Sequence, residues 1–146
     1  MSPGLVRGYL YVLMGGLFLQ GVGSLLFRTV SSLPAHSPLL VRGVFGIDFW
    51  HSWVHILWGA AGLALLIARP GAEVATRLAL VFGAFYTTLG VLGVGLHHPF
   101  GLQLGNFENS FHLTAGPLTL LVGALAARSG SAAQPRPSSS SSSSSS

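Results

Sequence analysis

The sequence predicts an all-α integral membrane protein, a four-helix bundle composed of two tandem helix-pair repeats. Half of its residues are apolar and only 7% are charged, whereas about 25% are charged in soluble domains. The mean hydropathy is +0.64, and long apolar stretches alternate with short polar breaks. Because a helix satisfies its backbone hydrogen bonds internally, apolar stretches of membrane-spanning length are expected to be helical.

Four stretches are long enough to cross a bilayer, and together they define a transmembrane domain over residues 1–128. A helix rises about 1.5 Å per residue, so roughly 20 residues cross the hydrocarbon layer of about 30 Å. Residues 129–146 form a serine-rich tail that cannot bury apolar area and is expected to be disordered. The predicted spans cover residues 9–27, 49–68, 76–96 and 109–127.

The breaks between the spans differ in character. Residues 28–48 form a long, proline-containing loop, and residues 69–75 form a tight turn. The third break contains His97, His98 and Pro99, which are expected to cap the end of the third span.

The placement of the arginines predicts that both termini lie in the cytoplasm, because cytoplasmic loops of membrane proteins are enriched in positive charge. With four spans, the termini and the 69–75 turn share one side, which carries five of the seven basic residues. The histidines, Asp48 and Glu108 then lie toward the extracytoplasmic side. The arginine-rich side carries Arg7, Arg69, Arg77, Arg128 and Arg136.

The composition argues against several classes of function. The chain has no cysteine, which excludes disulfides, thiol nucleophiles and cysteine-ligated zinc. No basic cluster or stacking platform accompanies the pI of 10.8, so a nucleic-acid partner is not expected. No nucleophilic triad, phosphate loop or carboxylate pair supports an enzyme. The expected partners are the lipid bilayer and a second copy of the chain or another membrane protein.

An internal repeat joins the second and fourth spans. The stretch FWHSWVHILWG at 49–59 recurs 57 residues later as NFENSFHLTAG at 106–116. In both stretches a polar residue is followed four positions later by a histidine and four positions after that by a glycine, and an apolar helix comes next. The matched positions are His51 with Glu108, Ser52 with Asn109, His55 with His112, and Gly59 with Gly116.

This spacing places the polar residues and the glycines on common helix faces, because residues four apart are neighbours on a helix surface. A glycine below each histidine leaves room for a neighbouring helix, an imidazole or a flat ligand. We therefore expect the second and fourth spans to form the closest pair, with Gly59 and Gly116 as packing positions and the histidines facing each other.

A polar cluster follows from this arrangement, and the favoured interpretation is structural. Buried imidazoles that hydrogen-bond across helices stabilise membrane bundles by about 0.6–2 kcal/mol. Ser52 and Asn109 are the expected partners of the histidines, His51 and Glu108 are expected to form a solvated ion pair, and Gln20 could hydrogen-bond across the bundle. No cofactor is then needed. The cluster comprises His51, His55, Glu108, Asn109 and His112.

The alternative interpretation is a metal- or haem-binding membrane protein. Imidazole and carboxylate groups suit zinc, copper or iron, and bundles build metal sites from facing helices. The candidate ligands are His51, His55, Glu108 and His112, with Asp48 oriented behind His51. In a haem site, His55 and His112 would be the axial ligands and the glycines would make room for the porphyrin. A small transporter component is a further alternative.

The two stretches also resemble a bacterial family of small four-span membrane proteins, catalogued as domain of unknown function 4383. The resemblance covers residues 7–127 and implies a four-helix inner-membrane protein, with no known activity, cofactor or ligand. Asparagine is usual in that family where this chain has Ser52. The matching residues are His51, His55, Gly59 and Gly62 in the second span, and Asn106, Glu108, Asn109, His112, Leu113 and Gly116 in the fourth.

The predicted topology can be tested with reporters fused to the C-terminus. We expect a reporter that works only in the cytoplasm to be active there, because five of the seven basic residues lie on the side of the termini. The same cytoplasmic reporter fused after residue 45 is the control, and we expect it to be inactive there because that segment lies on the other side of the membrane. Activity of a periplasm-specific reporter at the C-terminus would contradict the predicted orientation.

Overall fold

The computed structural model describes residues 1–30, 36–96 and 99–132, and it confirms the all-α prediction. These residues contain no β-strand. His97, His98 and the tail from residue 133 onward, for which a helix cap and disorder were predicted, lie outside the described residues. The helices are α1 (Pro3–Thr29), α2 (Leu39–Phe45), α3 (Phe49–Ala68), α4 (Ala72–Leu96) and α5 (Asn106–Ala132), with a 3-10 turn at Pro99–Gly101.

The helices α1, α3, α4 and α5 are long and apolar enough to cross a membrane, and they correspond to the four predicted spans. The bounds of α3 agree with the predicted span at 49–68, α1 and α5 extend beyond both ends of their predicted spans, and α4 begins four residues earlier than predicted but ends at Leu96 as predicted. In particular, α5 continues through Ala132, past the predicted boundary at residue 128.

The helices pack as two close pairs, α1 with α3 and α4 with α5. A Cβ atom at Gly59 of α3 would lie 2.6 Å from the carbonyl oxygen of Met14 in α1. A Cβ atom at Gly116 of α5 would lie 2.5 Å from the backbone nitrogen of Thr87 in α4. Each glycine therefore allows its helix to contact the backbone of the preceding span.

This pairing corrects the expectation that the second and fourth spans would be the closest pair. The physical reason is helix geometry: at 3.6 residues per turn, each step of four residues rotates the side-chain direction by about 40°. From His51 to Gly59 the stripe therefore turns by about 80°, so its two ends face different neighbours. The two glycines contact corresponding helices in the two pairs, which accords with the internal repeat; the repeat itself stays a prediction.

The segment between α1 and α3, predicted as a loop, contains the additional helix α2. Phe45 at its end packs against Phe27 of α1, with ring centroids 6.4 Å apart. The Phe45 ring also contacts Gly23 of α1, where a Cβ atom would lie 2.6 Å from the ring. The side chain of Phe107 in α5 lies against Gly43 of α2. The short helix thus bridges α1 and α5 at the end of the bundle where α3 and α5 begin.

The opposite end of the α1–α3 pair is held by a charged side chain. Arg7 of α1 donates hydrogen bonds to the carbonyl oxygens of Pro70, at 2.9 Å, and Leu66, at 3.5 Å. These carbonyls belong to the last turn of α3 and the residues after it, which have no partners within the helix. The guanidinium therefore caps α3 from the neighbouring helix.

The core lies between α1 and α4, where the fully buried apolar side chains include Leu10, Met14 and Phe82. The outward faces carry large exposed apolar side chains on every long helix, for example Val12 and Ile67. An apolar surface of this extent is a liability in water and is expected for a protein surrounded by lipid.

The glycine contacts generate a stability prediction. Gly59→Ala and Gly116→Ala each place a methyl group against backbone, and overpacking of this kind costs about 1–3 kcal/mol. We expect both variants to lower the melting temperature in detergent, as followed by circular dichroism. Gly16→Ala is the matched control, because a Cβ atom there meets nothing within 4 Å. Equal losses at all three positions would contradict the packing described here.

Candidate metal centre

Three buried histidines meet where α3 and α5 approach each other at the α2 end of the bundle. His51 and His55 lie in the first two turns of α3, and His112 lies in the second turn of α5. Their exposed fractions are 0%, 2% and 1%, respectively. One ring nitrogen from each histidine lies within 4.8 Å of the corresponding nitrogens of the other two. We call these residues the three-histidine site.

The spacing of the rings is close to that of a metal site. Ring centroids are 4.6 Å apart for His51 and His55, 5.4 Å for His51 and His112, and 6.5 Å for His55 and His112. Zinc–imidazole bonds are about 2.0–2.1 Å, so two nitrogens on one tetrahedral ion are roughly 3.3 Å apart. The nitrogens of the three-histidine site, within 4.8 Å of one another, would move closer together around a bound ion.

Most ring nitrogens of the site lack hydrogen-bond partners among the described residues, and Nδ1 of His55 is the exception. Both nitrogens of His51, both of His112 and Nε2 of His55 are buried without a hydrogen-bond partner among the described residues. A buried polar atom without a partner costs about 1–3 kcal/mol. The lone pairs of neutral imidazoles are metal ligands, so the donor set fits a transition-metal ion.

The expected hydrogen-bond partners of the histidines bond to backbone instead, which corrects that prediction. The Ser52 hydroxyl donates to the carbonyl oxygen of Asp48 at 2.8 Å. The Asn109 amide donates to the carbonyl oxygen of Leu104 at 3.2 Å, and the side chain lies against Gly93 of α4. Short polar side chains near helix starts commonly satisfy local backbone groups in this way.

Glu108 does not join the three-histidine site, and the expected solvated ion pair with His51 is wrong. Glu108 is half-buried beside Gly105, whereas His51 is fully buried. The carboxylate lies one helical turn before His112, which places it at the rim of the bundle rather than among the imidazoles. It lines a cleft of about 360 Å³ together with Asp48 and Gln103.

Asp48 supports the start of α3 rather than the imidazole of His51. One carboxylate oxygen accepts a hydrogen bond from the backbone N–H of His51 at 2.9 Å, so Asp48 is the N-cap residue of α3. The other oxygen accepts the backbone N–H of Gln103 at 2.9 Å. Asp48 thereby ties the loop before α5 to the first turn of α3 and fixes the height of both helix starts.

Gln20 of α1 hydrogen-bonds across the bundle, as predicted for this isolated polar residue, and one of its partners is His55 of the site. Its Oε1 lies 2.8 Å from Nδ1 of His55, and its Nε2 donates to the carbonyl oxygen of Val44 at 2.8 Å. Through these two hydrogen bonds, the Gln20 side chain connects α1 to both α2 and α3.

Tyr86 of α4 also lines the site, and sequence reasoning missed it. The residue is fully buried, and its hydroxyl has no hydrogen-bond partner among the described residues. Its ring lies 4.9 Å from that of His112 and 6.1 Å from that of His55. The available signal was a tyrosine within an apolar span, since a buried phenol normally finds a partner.

The arrangement does not fit a haem held by His55 and His112. The ring of His51 lies 4.6 and 5.4 Å from the other two, where a porphyrin would pass between them. Backbone of α1 fills the space beside Gly59, and backbone of α4 fills the space beside Gly116. The glycines therefore provide room for helices rather than for a porphyrin.

No family model, no curated protein and no solved structure matches this chain. The resemblance to domain of unknown function 4383 therefore stays a prediction, and the interpretation of the site depends on its geometry.

The N-cap generates a prediction that can be tested without metal. Asp48→Ala removes the acceptor for two backbone N–H groups, and loss of an N-cap costs about 1 kcal/mol. We expect a lower melting temperature. Glu73→Ala is the control, because it removes a carboxylate from the start of another helix, where the carboxylate pairs with the exposed side chain of Arg77 rather than with backbone N–H groups. Equal effects would contradict the role of Asp48.

Proposed function

We propose that this chain is an integral membrane protein that binds a transition-metal ion through His51, His55 and His112. The observation that supports this function is the convergence of three buried imidazoles, with nitrogens within 4.8 Å of one another and five ring nitrogens that have no hydrogen-bond partner among the described residues. The favoured structural interpretation required hydrogen bonds from Ser52 and Asn109, and those side chains bond elsewhere.

The donor set favours zinc, copper, nickel or iron over magnesium or calcium. Imidazole nitrogens suit the transition metals, whereas the alkaline-earth ions prefer oxygen ligands. Three protein ligands also leave a coordination position for water or another small ligand, as in zinc sites that exchange ligands. The chain has no cysteine that could compete for a soft ion.

The charges near the site have opposing effects on a bound cation. α3 and α5 both begin beside the site, and the amino ends of helices carry partial positive charge that disfavours a cation. Asp48, the N-cap residue of α3, and Glu108, in the first turn of α5, supply negative charge near the same place. These carboxylates offset the helix ends and the added ion without coordinating it.

The proposed location is a bacterial inner membrane, with both termini in the cytoplasm and the site near the extracytoplasmic surface. Four apolar helices of sufficient length and exposed apolar side chains support insertion in a bilayer. The arginine distribution supports the orientation. The ion would then exchange with the extracytoplasmic side, and membership of the domain of unknown function 4383 family is part of this proposal.

A structural fastener is the second candidate function, and the hydrogen bond between His55 and Gln20 favours it. In this case the histidines hold the two helix pairs together, alone or for assembly with another copy or another membrane protein. A transporter component receives less support, because the described core on the other side of the histidines is built from apolar side chains such as Leu17, Met14 and Leu10.

Metal binding tests the proposal directly. We expect protein purified in detergent to bind one Co²⁺ or Zn²⁺ per chain, with the Co²⁺ absorption spectrum reporting nitrogen coordination. His55→Ala and His112→Ala should each reduce the affinity at least 100-fold, because each removes one of three ligands. His36→Ala is the matched control, since His36 is exposed in the segment between α1 and α2. Equal affinity in all three variants would contradict the site.

Thermal unfolding distinguishes the two candidates. A ligand that binds only the folded state stabilises it by about 2.7 kcal/mol at 100 times its dissociation constant. We therefore expect Zn²⁺ to raise the melting temperature of the wild type and a chelator to reverse the increase. If Zn²⁺ has no effect and the histidine variants nevertheless melt earlier than His36→Ala, the fastener is the correct function.

A further inference from the structure

Gln20 of α1 has an orientation that its hydrogen bonds determine. Its side-chain amide has one donor end and one acceptor end, and both ends have neighbours. The carbonyl oxygen of Val44, 2.8 Å from Nε2, can only accept a hydrogen bond. Reversing the amide would place two acceptor oxygens against each other. The Nε2 end therefore faces Val44, and the Oε1 end faces His55.

This orientation determines which nitrogen of His55 carries the proton. Oε1 of Gln20 is an acceptor, and it lies 2.8 Å from Nδ1 of His55. Nδ1 must therefore donate. In the neutral imidazole one nitrogen is protonated and the other holds a lone pair, so the lone pair lies on Nε2. Nε2 is the atom of His55 that is buried without a hydrogen-bond partner in the part of the chain that the structure describes.

We propose that Gln20 is a positioning residue for the three-histidine site: it holds His55 as the Nδ1–H tautomer, so that Nε2 is the atom that binds the metal. The proposal rests on the proposed function for the metal ion. Metal-bound histidines generally donate their second N–H to an oxygen acceptor, which orients the ring and increases its basicity. Here a neutral amide from a different helix performs this role.

The close packing of α1 against α3 is what brings the amide to the imidazole. Gly21, next to Gln20, lies where a Cβ atom would be 2.6 Å from the carbonyl oxygen of Ser52 and 2.9 Å from the backbone nitrogen of Ile56. These two residues flank the turn of α3 that carries His55. With any larger residue at position 21, α1 and α3 would separate and the hydrogen bond would lengthen.

The contact with Val44 extends the arrangement to α2. Val44 lies within α2, which packs on α1 through Phe45. The carbonyl of Val44 thus sets the direction of the Gln20 amide, and the amide sets the tautomer of His55. The three-histidine site consequently depends on the short outer helix, although no side chain of α2 is a ligand.

The tautomer of His55 can be measured in the metal-free wild type by ¹⁵N NMR of histidine-labelled protein, with the His55→Asn spectrum identifying its signals. We expect Nδ1 to be protonated and Nε2 to be unprotonated. An Nε2–H tautomer in the wild type would overturn the proposal. This measurement requires no variant of Gln20 and therefore does not depend on how well such a variant folds.

Substitution tests the positioning role. Gln20→Met keeps the length of the side chain and removes both hydrogen bonds. We expect it to redistribute the His55 tautomers and to weaken Co²⁺ binding about 10- to 100-fold, the usual effect of losing a residue that orients a ligand. The stoichiometry should stay at one ion per chain. Gln103→Met is the matched control, because Gln103 is exposed and hydrogen-bonds to Asp48 through its backbone.

The results separate this proposal from the proposed function. Unchanged affinity and an unchanged tautomer in Gln20→Met would overturn the positioning role while leaving the metal site intact. If the wild type binds no Co²⁺, the metal function fails, and with it the role of Gln20 toward a metal, even where the His55 tautomer is as expected.

Discussion

The close approach of helix backbones at glycine residues is the constraint on which the rest of this structure depends. At Gly21 and Gly59, α1 lies directly against α3, and at Gly116 the backbone of α4 lies against α5. In lipid there is little hydrophobic force between helices, so association depends on close packing and on hydrogen bonds that such packing permits. The glycines fix both the separation and the relative height of the helices. Gln20 consequently meets His55 at hydrogen-bond distance.

A bundle built in this way places three imidazoles in surroundings that give them few partners. Most serine and threonine hydroxyls in the described helices donate to neighbouring backbone carbonyls; Ser24, Thr87 and Thr119, for example, each donate to a carbonyl one turn earlier. The rings of His51 and His112 have no hydrogen-bond partner among the described residues. Unpaired buried polar groups cost free energy. A bound ligand would give these imidazole nitrogens a partner, whereas a packing contact alone would leave them unpaired. This reasoning favours the metal function over the fastener.

The sequence predicted the spans and the residues of the site better than it predicted their contacts. Hydropathy and length determine where α3 begins and ends, because lipid requires every backbone group to be paired within the helix. The pairing of helices depends on which face each glycine presents, and four-residue spacing drifts around the helix. Thus Gly59 faces α1 although His51, on nearly the same stripe, faces His112. Tyr86 stands out as a tyrosine within an apolar span, but no sequence pattern shows that α4 packs beside His55 and His112.

The position of the three-histidine site between the two helix pairs gives metal binding a structural consequence. His51 and His55 belong to the α1–α3 pair, and His112 belongs to the α4–α5 pair. Close backbone packing is concentrated within the pairs, and α3 and α5 approach each other mainly through these side chains. An ion held by all three imidazoles would therefore join the pairs where their backbones are least closely packed. Because binding free energy is added only when both pairs are in place, the ion would stabilise the assembled bundle relative to separated helix pairs. The three imidazoles are also the side chains through which α3 and α5 meet, so the loss of one of them would weaken the contact between the two helix pairs.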